Sequence, residues 1–163
     1  MIKLLEAFNV KPLLEYYSRV EQEMVWSDFG NKRQVGLQYR PGEDPWTSAV
    51  GRSSGNELAC TELNPFFKDT IVEDIIIKFK LVKSRFMWVT PMTCYSMHRD
   101  ETPRVHIPMI TNPNCYFVFK LPFNNIIQHM PAGAVFWTNT VEPHTFMNCS
   151  ERARLHLVGG VEK

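Results

Sequence analysis

The sequence predicts a mainly β fold, an antiparallel barrel or sandwich with helices packed on its outside. Seven short candidate strands, separated by Pro, Gly and Asn, follow one another after residue 84, and two segments with helical spacing precede them. With 163 residues, 44% of them hydrophobic, the chain has the size and composition of one globular domain. We therefore expect a single domain over 1–163, with a helical and loop support region at 1–83 and the barrel strands at 84–163.

The first half of the support region is predicted to be a helix followed by a strand and a loop. Over residues 11–26, Leu13, Tyr17 and other apolar side chains recur at roughly helical spacing. Residues 34–39 form a candidate strand. Residues 41–55 are rich in Gly, Pro, Ser and charge, which is typical of a loop, and long loops of this kind often belong to binding surfaces.

A second helix is predicted near residue 70. Thr70 and Glu73 have the spacing of a capping box, in which each side chain bonds a free backbone N–H of the first turn. Ile71, Ile75, Phe79 and Val82 then follow on one face as an apolar stripe. We expect this helix to be well buried.

The strands predicted after residue 84 alternate in hydrophobicity over short runs that end at turn-forming residues. They would supply the sheets of the barrel or sandwich. Their predicted ranges are 85–90, 93–98, 104–111, 115–120, 134–137, 144–148 and 152–158.

Charge and hydropathy exclude several classes of partner. The net charge is +1 and the basic residues are scattered, so we expect neither nucleic acid nor an anionic membrane as a partner. The apolar run near residues 75–77, like the others in the chain, is far too short to span a bilayer. Residues 1–10 include Glu6 and lack a small-residue cleavage site after an apolar stretch, so no signal peptide is expected.

The cysteine pattern favours a reducing compartment. Cys60, Cys94, Cys115 and Cys149 are widely spaced, and no two of them form a C-x-x-C pair. We expect reduced, buried thiols in a cytoplasmic protein. The alternative, a zinc cluster, lacks the paired spacing that such sites show.

Two histidines and one aspartate carry the strongest functional signal. Asp100 follows His98 by two residues, so their side chains share a face if a strand runs through both, and His144 must come from another strand. Imidazoles with a carboxylate match the facial triad that holds non-haem Fe(II) with open coordination positions. Arg154, ten residues after His144, could bind a carboxylate of a co-substrate beside the metal. This combination is typical of a 2-oxoglutarate-dependent oxygenase, although three unrelated polar residues are the alternative.

Two predicted strands repeat the pattern Arg, apolar, His. Arg104 precedes His106 in one strand, and Arg154 precedes His156 in the other. One interpretation is a half-buried strand whose charged face lies in water. The other is that the polar faces line the interior, where two guanidiniums could bind carboxylates, while helices cover the apolar faces. For His156 we favour a hydrogen-bonded core histidine.

At these residues the sequence resembles a known family. The stretches that carry the resemblance lie between residues 84 and 158 and read SRFMWVTPMTCYSMHRD, TPRVHIPMITNPNCYFVF, MPAGAVFWTNTVEPHTFMN and ERARLHLV. Together they resemble the aspartyl/asparaginyl β-hydroxylase family of Fe(II)/2-oxoglutarate oxygenases, especially its small microbial and phage-type members. The resemblance covers nearly half of the chain and extends weakly to residues 63–65.

The resemblance implies a fold and a set of roles. The fold would be a double-stranded β-helix, a cupin-like jelly-roll barrel with the iron inside. His98 and His144 would be the iron-binding histidines, and Arg154 would bind the 2-oxoglutarate carboxylate. Arg104 and His106 would also face the co-substrate.

Two other positions bear on the resemblance. Some animal members of the family lack the carboxylate ligand, whereas here Asp100 occupies its place and supports an ordinary triad. The spacing from the first metal histidine to the first Arg-x-His segment is also shorter than in those members. Asn139 lies in the Asn-Thr segment before the second metal histidine.

These observations predict an Fe(II)- and 2-oxoglutarate-dependent dioxygenase. It would hydroxylate an amino acid, free or in a protein, with Asp, Asn and Pro as candidates, using O2 and releasing succinate and CO2. Residues 38–46 are candidates for substrate contact, with ordinary surface structure as the alternative. Two other functions stay open: a non-catalytic cupin-like barrel that binds a small anion, and a metal dioxygenase that needs no co-substrate.

Overall fold

The computed structural model describes residues 1–51 and 56–162, so positions 52–55 of the predicted loop lie outside the described residues. The described chain contains the helices α1 (Lys11–Val20) and α2 (Ile71–Phe79) and the short 3-10 helices Glu21–Glu23, Glu57–Ala59 and Pro65–Phe67. Its strands are β1 (Ile2–Ala7), β2 (Ser27–Asp28), β3 (Lys32–Gly36), β4 (Gln38–Tyr39), β5 (Glu62–Leu63), β6 (Val82–Val89), β7 (Thr93–Cys94), β8 (Arg104–Ile110), β9 (Cys115–Lys120), β10 (Asn125–Gln128), β11 (Ala134–Thr138), β12 (His144–Asn148) and β13 (Arg154–Gly160).

Two antiparallel sheets pack face to face. The large sheet has the strand order β1-β11-β8-β13-β6-β3-β2 and the small sheet the order β10-β9-β12-β7, while β4 and β5 pair separately. Met87 and Phe136 of the large sheet and Phe117 and Phe146 of the small sheet share one core between them. The two sheets have the arrangement of the predicted jelly roll. Hydrogen bonds among the described strands do not close them into a continuous barrel.

The large sheet has an apolar face and a polar face, because successive residues of a strand point to opposite sides. Val105 of β8 and Leu155 and Leu157 of β13 belong to a core that also contains Leu13 of α1 and Ile75 of α2. The helices therefore cover the apolar face of this sheet, as predicted. The alternate residues of the same strands point between the two sheets.

Both helices end earlier in the chain than their apolar spacing predicted. α1 ends at Val20 and passes into a 3-10 turn, whereas the apolar spacing predicted a helix to residue 26. The chain becomes extended at Met24 because the residues that follow must pair with β3 as strand β2. α2 begins as predicted, with the Thr70 side chain accepting a hydrogen bond from the N–H of Val72. Lys80, in the left-handed conformation, ends it, so Val82, which the predicted stripe included, belongs to strand β6 instead.

The strands predicted after residue 84 are present. β9 and β12 have the predicted bounds, but the strand predicted over 93–98 is only β7, followed by an isolated bridge at His98. Four strands, β1, β2, β5 and β10, lie outside the predicted set. The support region thus supplies strands as well as helices, since β1, β2 and β3 belong to the large sheet.

Two further expectations concern the cysteines and membranes. All four cysteines are free, and Cys60 and Cys115 are buried, whereas Cys94 and Cys149 are exposed, so burial was predicted correctly for only two of them. Within residues 1–51 and 56–162, no helix is both long enough and apolar enough to cross a membrane.

The core beneath the helices should carry much of the stability. Leu157→Ala removes a fully buried side chain from that core and should lower the free energy of unfolding by about 2–5 kcal/mol. The matched control is Leu4→Ala on strand β1, where the side chain is 59% exposed and the loss should stay within about 0.5 kcal/mol. Urea unfolding measures both changes, and equal losses would contradict this account of the core.

Candidate metal and anion site

His98, Asp100 and His144 come together on the wall of a cavity between the two sheets. One donor atom from each residue lies within 4.8 Å of the donors of the other two. Nε2 of His98 is 3.8 Å from Oδ1 of Asp100, and Nε2 of His144 is 3.9 Å from Oδ2 of Asp100. Donors at these separations can all reach one ion placed among them. The three sequence-predicted ligands therefore form a group that could hold a metal ion.

Backbone pairing sets the two histidines opposite each other. The N–H of His98 donates to the carbonyl of His144, and the N–H of His144 donates to the carbonyl of His98, both at 2.9 Å. Asp100 lies outside any strand, and its N–H donates to the carbonyl of Thr140 at 2.9 Å. The condition under which His98 and Asp100 would share one strand face, a strand that runs through both, is therefore not met. A loop hydrogen bond brings the carboxylate to the histidines instead.

Both imidazoles are oriented by the ring nitrogen that faces away from the site. Nδ1 of His98 donates to the carbonyl of Ser96 at 2.8 Å, and Nδ1 of His144 donates to the carbonyl of Glu142 at 2.9 Å. Because a carbonyl can only accept, Nδ1 carries the proton in each neutral ring and Nε2 keeps its lone pair. This second hydrogen bond is the usual way in which proteins orient a metal-binding histidine.

The charge state of the group also suits a cation. Burial lowers the pKa of His144, although the Glu142 carbonyl and Asp100 act in the opposite direction. Burial would raise the pKa of Asp100, but the nearby Arg104 and Arg85 outweigh it and hold that pKa below its usual value. At neutral pH the site therefore presents a neutral His144 and a carboxylate, the forms that bind metal.

The cavity has a volume of about 290 Å³ and lies between the polar face of the large sheet and aromatic side chains of the small one. Arg104, His106 and Arg154 line it, and each is at most 4% exposed. The interpretation that the polar faces of the Arg-x-His strands point inward is thus correct, and the alternative of a charged face in water is wrong. Phe117 and Phe146 form the opposite wall.

Arg154 is held in place without an acidic partner. Its guanidinium lies 3.9 Å above the Phe146 ring, and its Nε donates to Nε2 of His156 at 2.8 Å. His156 is thus a hydrogen-bonded core histidine, as favoured from the sequence. Among the described residues, no carboxylate lies within 4.0 Å of the Arg154 side chain. Burial lowers the pKa of Arg154 to about 10, so the group stays charged at neutral pH.

Arg104 and His106 both line the cavity but differ in their bonding. The Arg104 guanidinium is bonded to Asp100 and to the buried Glu57. Both ring nitrogens of His106 are buried and have no hydrogen-bond partner among the described residues. Asn139, noted in the Asn-Thr segment before the second metal histidine, does not line the cavity, whereas its neighbour Thr140 does.

Arg85 and Tyr95 are lining residues that the sequence analysis missed. Nε of Arg85 and the Tyr95 hydroxyl are buried without a partner among the described residues. Nη1 of Arg85 makes only long contacts, 3.4 Å to the Ala49 carbonyl and 3.5 Å to the Lys83 carbonyl. One signal was available, because Arg85 is the first residue of a predicted strand, as Arg104 is.

The segment 38–46, a candidate for substrate contact, has structural roles instead. Gln38 is buried and donates to the Leu81 carbonyl at 2.8 Å. Arg40 pairs with Glu43, and the Trp46 ring packs on Phe66 and Phe67. None of these residues lines the cavity. Ordinary surface structure, the alternative stated above, accounts for the segment.

The chain is similar to known proteins in sequence and in fold. The family model described as aspartyl/asparaginyl beta-hydroxylase matches residues 15–163. No curated protein sequence matches the chain.

Solved structures of the same fold include three with low sequence identity. An oxidoreductase of the 2OG-Fe(II) oxygenase family from Burkholderia pseudomallei is 13% identical, with a TM-score of 0.61 over 96% of this chain and 82% of that one. A prolyl-4-hydroxylase from Pseudomonas putida is 14% identical, with a TM-score of 0.54 over 99% and 92%. HygX from Streptomyces hygroscopicus, solved with nickel and 2-oxoglutarate, is 11% identical, with a TM-score of 0.56 over 98% and 81%. These likenesses confirm the predicted fold.

The buried Glu57 should make stability depend on acid pH. Burial alone would raise its pKa, but ion pairs with Arg104 and Lys83 outweigh burial and lower it to about 2, from 4.5 in an unfolded chain. Stability from this carboxylate is therefore present above pH 4.5 and is lost as the pH falls toward 2. Glu57→Gln should be less stable than the wild type at pH 7, and the gap should shrink between pH 4.5 and 2 in urea unfolding. The control Glu142→Gln, at a more exposed carboxylate, should show little gap at any pH. A pH-independent gap for Glu57→Gln would contradict the ion-pair account.

Proposed function

We propose the ligand set and the substrate class of this chain from one premise: it belongs to the aspartyl/asparaginyl β-hydroxylase family. Membership confirms the enzyme class predicted from the sequence, an Fe(II)- and 2-oxoglutarate-dependent hydroxylase. We take residues 1–163 to act as a single catalytic domain, because strands from both halves of the chain build the large sheet.

The metal ligands in this proposal are His98, Asp100 and His144. The observation that carries it is their convergence on the cavity wall, with donors within 4.8 Å of one another and both Nδ1 atoms bonded away from the site. Two imidazoles and one carboxylate form the facial triad typical of non-haem Fe(II) oxygenases, which leaves positions free for the co-substrate and O2.

Arg154 is the residue proposed to bind the far carboxylate of 2-oxoglutarate. It is buried, charged, oriented by His156 and Phe146, and has no carboxylate within 4.0 Å among the described residues. A guanidinium in this state is stabilised by a bidentate anion. His106, whose ring nitrogens have no hydrogen-bond partner in the part of the chain that the structure describes, is proposed to face the same co-substrate. The expected co-substrate contact of Arg104 stays a prediction, and its bonds to Asp100 and Glu57 favour a role toward the metal ligand.

Fe(II) and 2-oxoglutarate, when bound, would activate O2 for hydroxylation of an unactivated C–H bond. One oxygen atom of O2 would enter the substrate and the other would enter succinate, which forms together with CO2 from 2-oxoglutarate. The chain supplies orientation and shielding. Phe117 and Phe146 close one side of the cavity with apolar rings, which limits the access of water to the reacting groups.

The substrate is proposed to be an amino acid that presents a carboxylate, either a free amino acid or an Asp residue of a protein. The support is Arg85, a second buried guanidinium on the cavity wall with no carboxylate within 4.0 Å among the described residues. Its charge, with that of Arg104, acts on Asp100, so Arg85 lies near the metal ligands. Free Asp, Asn and Pro all carry such a group, whereas Asn and Pro residues within a chain do not.

The role of Arg154 is tested by binding of the co-substrate. Arg154→Gln should raise the Kd for 2-oxoglutarate roughly 10- to 100-fold, because one charge-assisted pair is lost from a buried site. Anaerobic titration of the Fe(II)-loaded protein, followed by its visible charge-transfer band, measures this. Arg152→Gln, on an exposed residue of the segment before β13, is the matched control and should leave Kd unchanged. An unchanged Kd in Arg154→Gln would rule out the assigned role.

The role of Arg85 is tested by substrate-stimulated succinate release. Among free Asp, Asn, Pro and Asp-containing peptides, the strongest stimulator should lose its effect when its carboxylate is converted to an amide. Arg85→Gln should raise the KM for that stimulator roughly 10- to 100-fold. Arg33→Gln is the control, since its guanidinium packs on Trp26 outside the cavity. If Arg85→Gln weakened only 2-oxoglutarate binding, Arg85 would belong to the co-substrate site instead.

A further inference from the structure

Arg104 joins the candidate metal ligands to a buried acidic residue. Its Nε donates to Oδ2 of Asp100 at 3.1 Å, and its Nη2 donates to Oε1 of Glu57 at 2.7 Å. Its Nη1 donates to the Thr102 hydroxyl at 3.1 Å. Each nitrogen of the guanidinium therefore has an acceptor, and the side chain is only 2% exposed. A planar group with partners on all sides has a single orientation.

Glu57 binds the side of the Arg104 guanidinium that faces away from Asp100. Its Oε1 also accepts from Nζ of Lys83 at 2.9 Å, and its Oε2 accepts from the Thr102 hydroxyl at 3.1 Å. One buried carboxylate thus forms ion pairs with two buried cations. Breaking such a group by removing one charge is costly, because the partners stay buried without compensation.

The neighbouring strand leaves room for this arrangement at Gly160. Gly160 lies opposite Arg104 in the pairing of β13 with β8. A Cβ at this position would lie 2.7 Å from Nη1 of Arg104 and 2.6 Å from the Thr102 hydroxyl oxygen. Any larger residue would displace the guanidinium, so the absence of a side chain at 160 is what permits its position.

The bonding of Arg104 affects the metal centre through Asp100. Its Oδ2 accepts from Arg104, whereas Oδ1 faces Nε2 of His98 at 3.8 Å. A carboxylate held in this way offers one oxygen to a metal ion. Arg–carboxylate pairs often use both oxygens, and in that geometry the guanidinium would compete with the metal.

We propose that Glu57 is a positioning residue of the metal centre and acts through Arg104. By binding the far side of the guanidinium, Glu57 makes Arg104 meet Asp100 through Nε alone and leaves Oδ1 of Asp100 for the metal ion. The inference rests on the proposed function, because it takes His98, Asp100 and His144 as the metal ligands.

Loss of the Glu57 charge acts on the metal site in two ways with the same sign. Arg104 loses its competing anion and pairs more strongly with Asp100, which withdraws the carboxylate from the metal. The cluster of Glu57, Lys83, Arg104 and Asp100 also gains one net positive charge, which repels a divalent cation in a buried site. Both effects weaken metal binding.

The test uses Co(II) alone as the probe, in the absence of co-substrate and substrate. Glu57→Gln should weaken Co(II) binding about 10- to 100-fold, the usual loss when the partner of a metal ligand is changed. The visible ligand-field bands of bound Co(II) should also shift, because Asp100 changes its coordination. Glu15→Gln is the matched control: its carboxylate is exposed, pairs with Lys11 on helix α1, and lies outside the cavity wall. This control should change the affinity by less than about 3-fold.

A second variant separates metal binding from folding. Glu57→Gln combined with Lys83→Gln restores the net charge of the buried cluster, so its thermal stability should exceed that of Glu57→Gln alone. It still lacks the anion that holds Arg104, so its Co(II) affinity should stay weakened. Circular dichroism and thermal unfolding check that each variant is folded.

The outcomes separate this inference from the proposed function. Wild-type Co(II) affinity and spectrum in both Glu57 variants, with binding lost in His98→Ala, would overturn the role of Glu57 and leave the metal site standing. Undiminished Co(II) binding in His98→Ala would refute the metal site itself, and the inference with it.

Discussion

Positive charge buried between two sheets is the constraint on which the rest of the site depends. Arg85, Arg104 and Arg154 all lie on the inner face of the large sheet and are at most 9% exposed. A guanidinium in such surroundings is stable only beside anions or well-placed acceptors. Asp100 and Glu57 fill that need for Arg104. For the other two the described chain offers no carboxylate, so the cavity favours ligands that bring their own.

The two faces of strands β8 and β13 have different roles, one in stability and the other in the chemistry of the site. On β8 and β13, Val105, Leu155 and Leu157 face the helices and form a dry core, while Arg104 and Arg154 face the cavity. Because successive side chains of a strand point to opposite faces, one sheet can form both the dry core and the cavity wall. The helices are needed on the outside because that is where the apolar face lies. Burial of that face can offset the cost of placing several ionised groups inside.

The metal donors are held by backbone hydrogen bonds rather than by a regular strand. Reciprocal bonds pair His98 with His144, and a bond to Thr140 holds the N–H of Asp100. Carbonyl groups two residues before each histidine then orient the imidazoles. Loops carried on a rigid scaffold can place side chains in this way with little freedom. Glu57 extends the support outward through Arg104.

The sequence by itself determined the fold class, most strands after residue 84, the helix at Thr70 and the three metal-ligand candidates, because alternation, capping and residue chemistry are local properties. From strand alternation it left open whether Arg104 and Arg154 point inward or into water, and the family resemblance favoured the inward orientation. Only the tertiary structure decided the rest. Edge strand β1 pairs with β11, far away in the chain, and most of its residues are exposed, so no local pattern marks it. Glu57 meets Arg104 across 47 positions, and whether a cation is paired depends on such contacts. Spacing along the chain identified the donors, but packing between distant segments assigned each charge its partner.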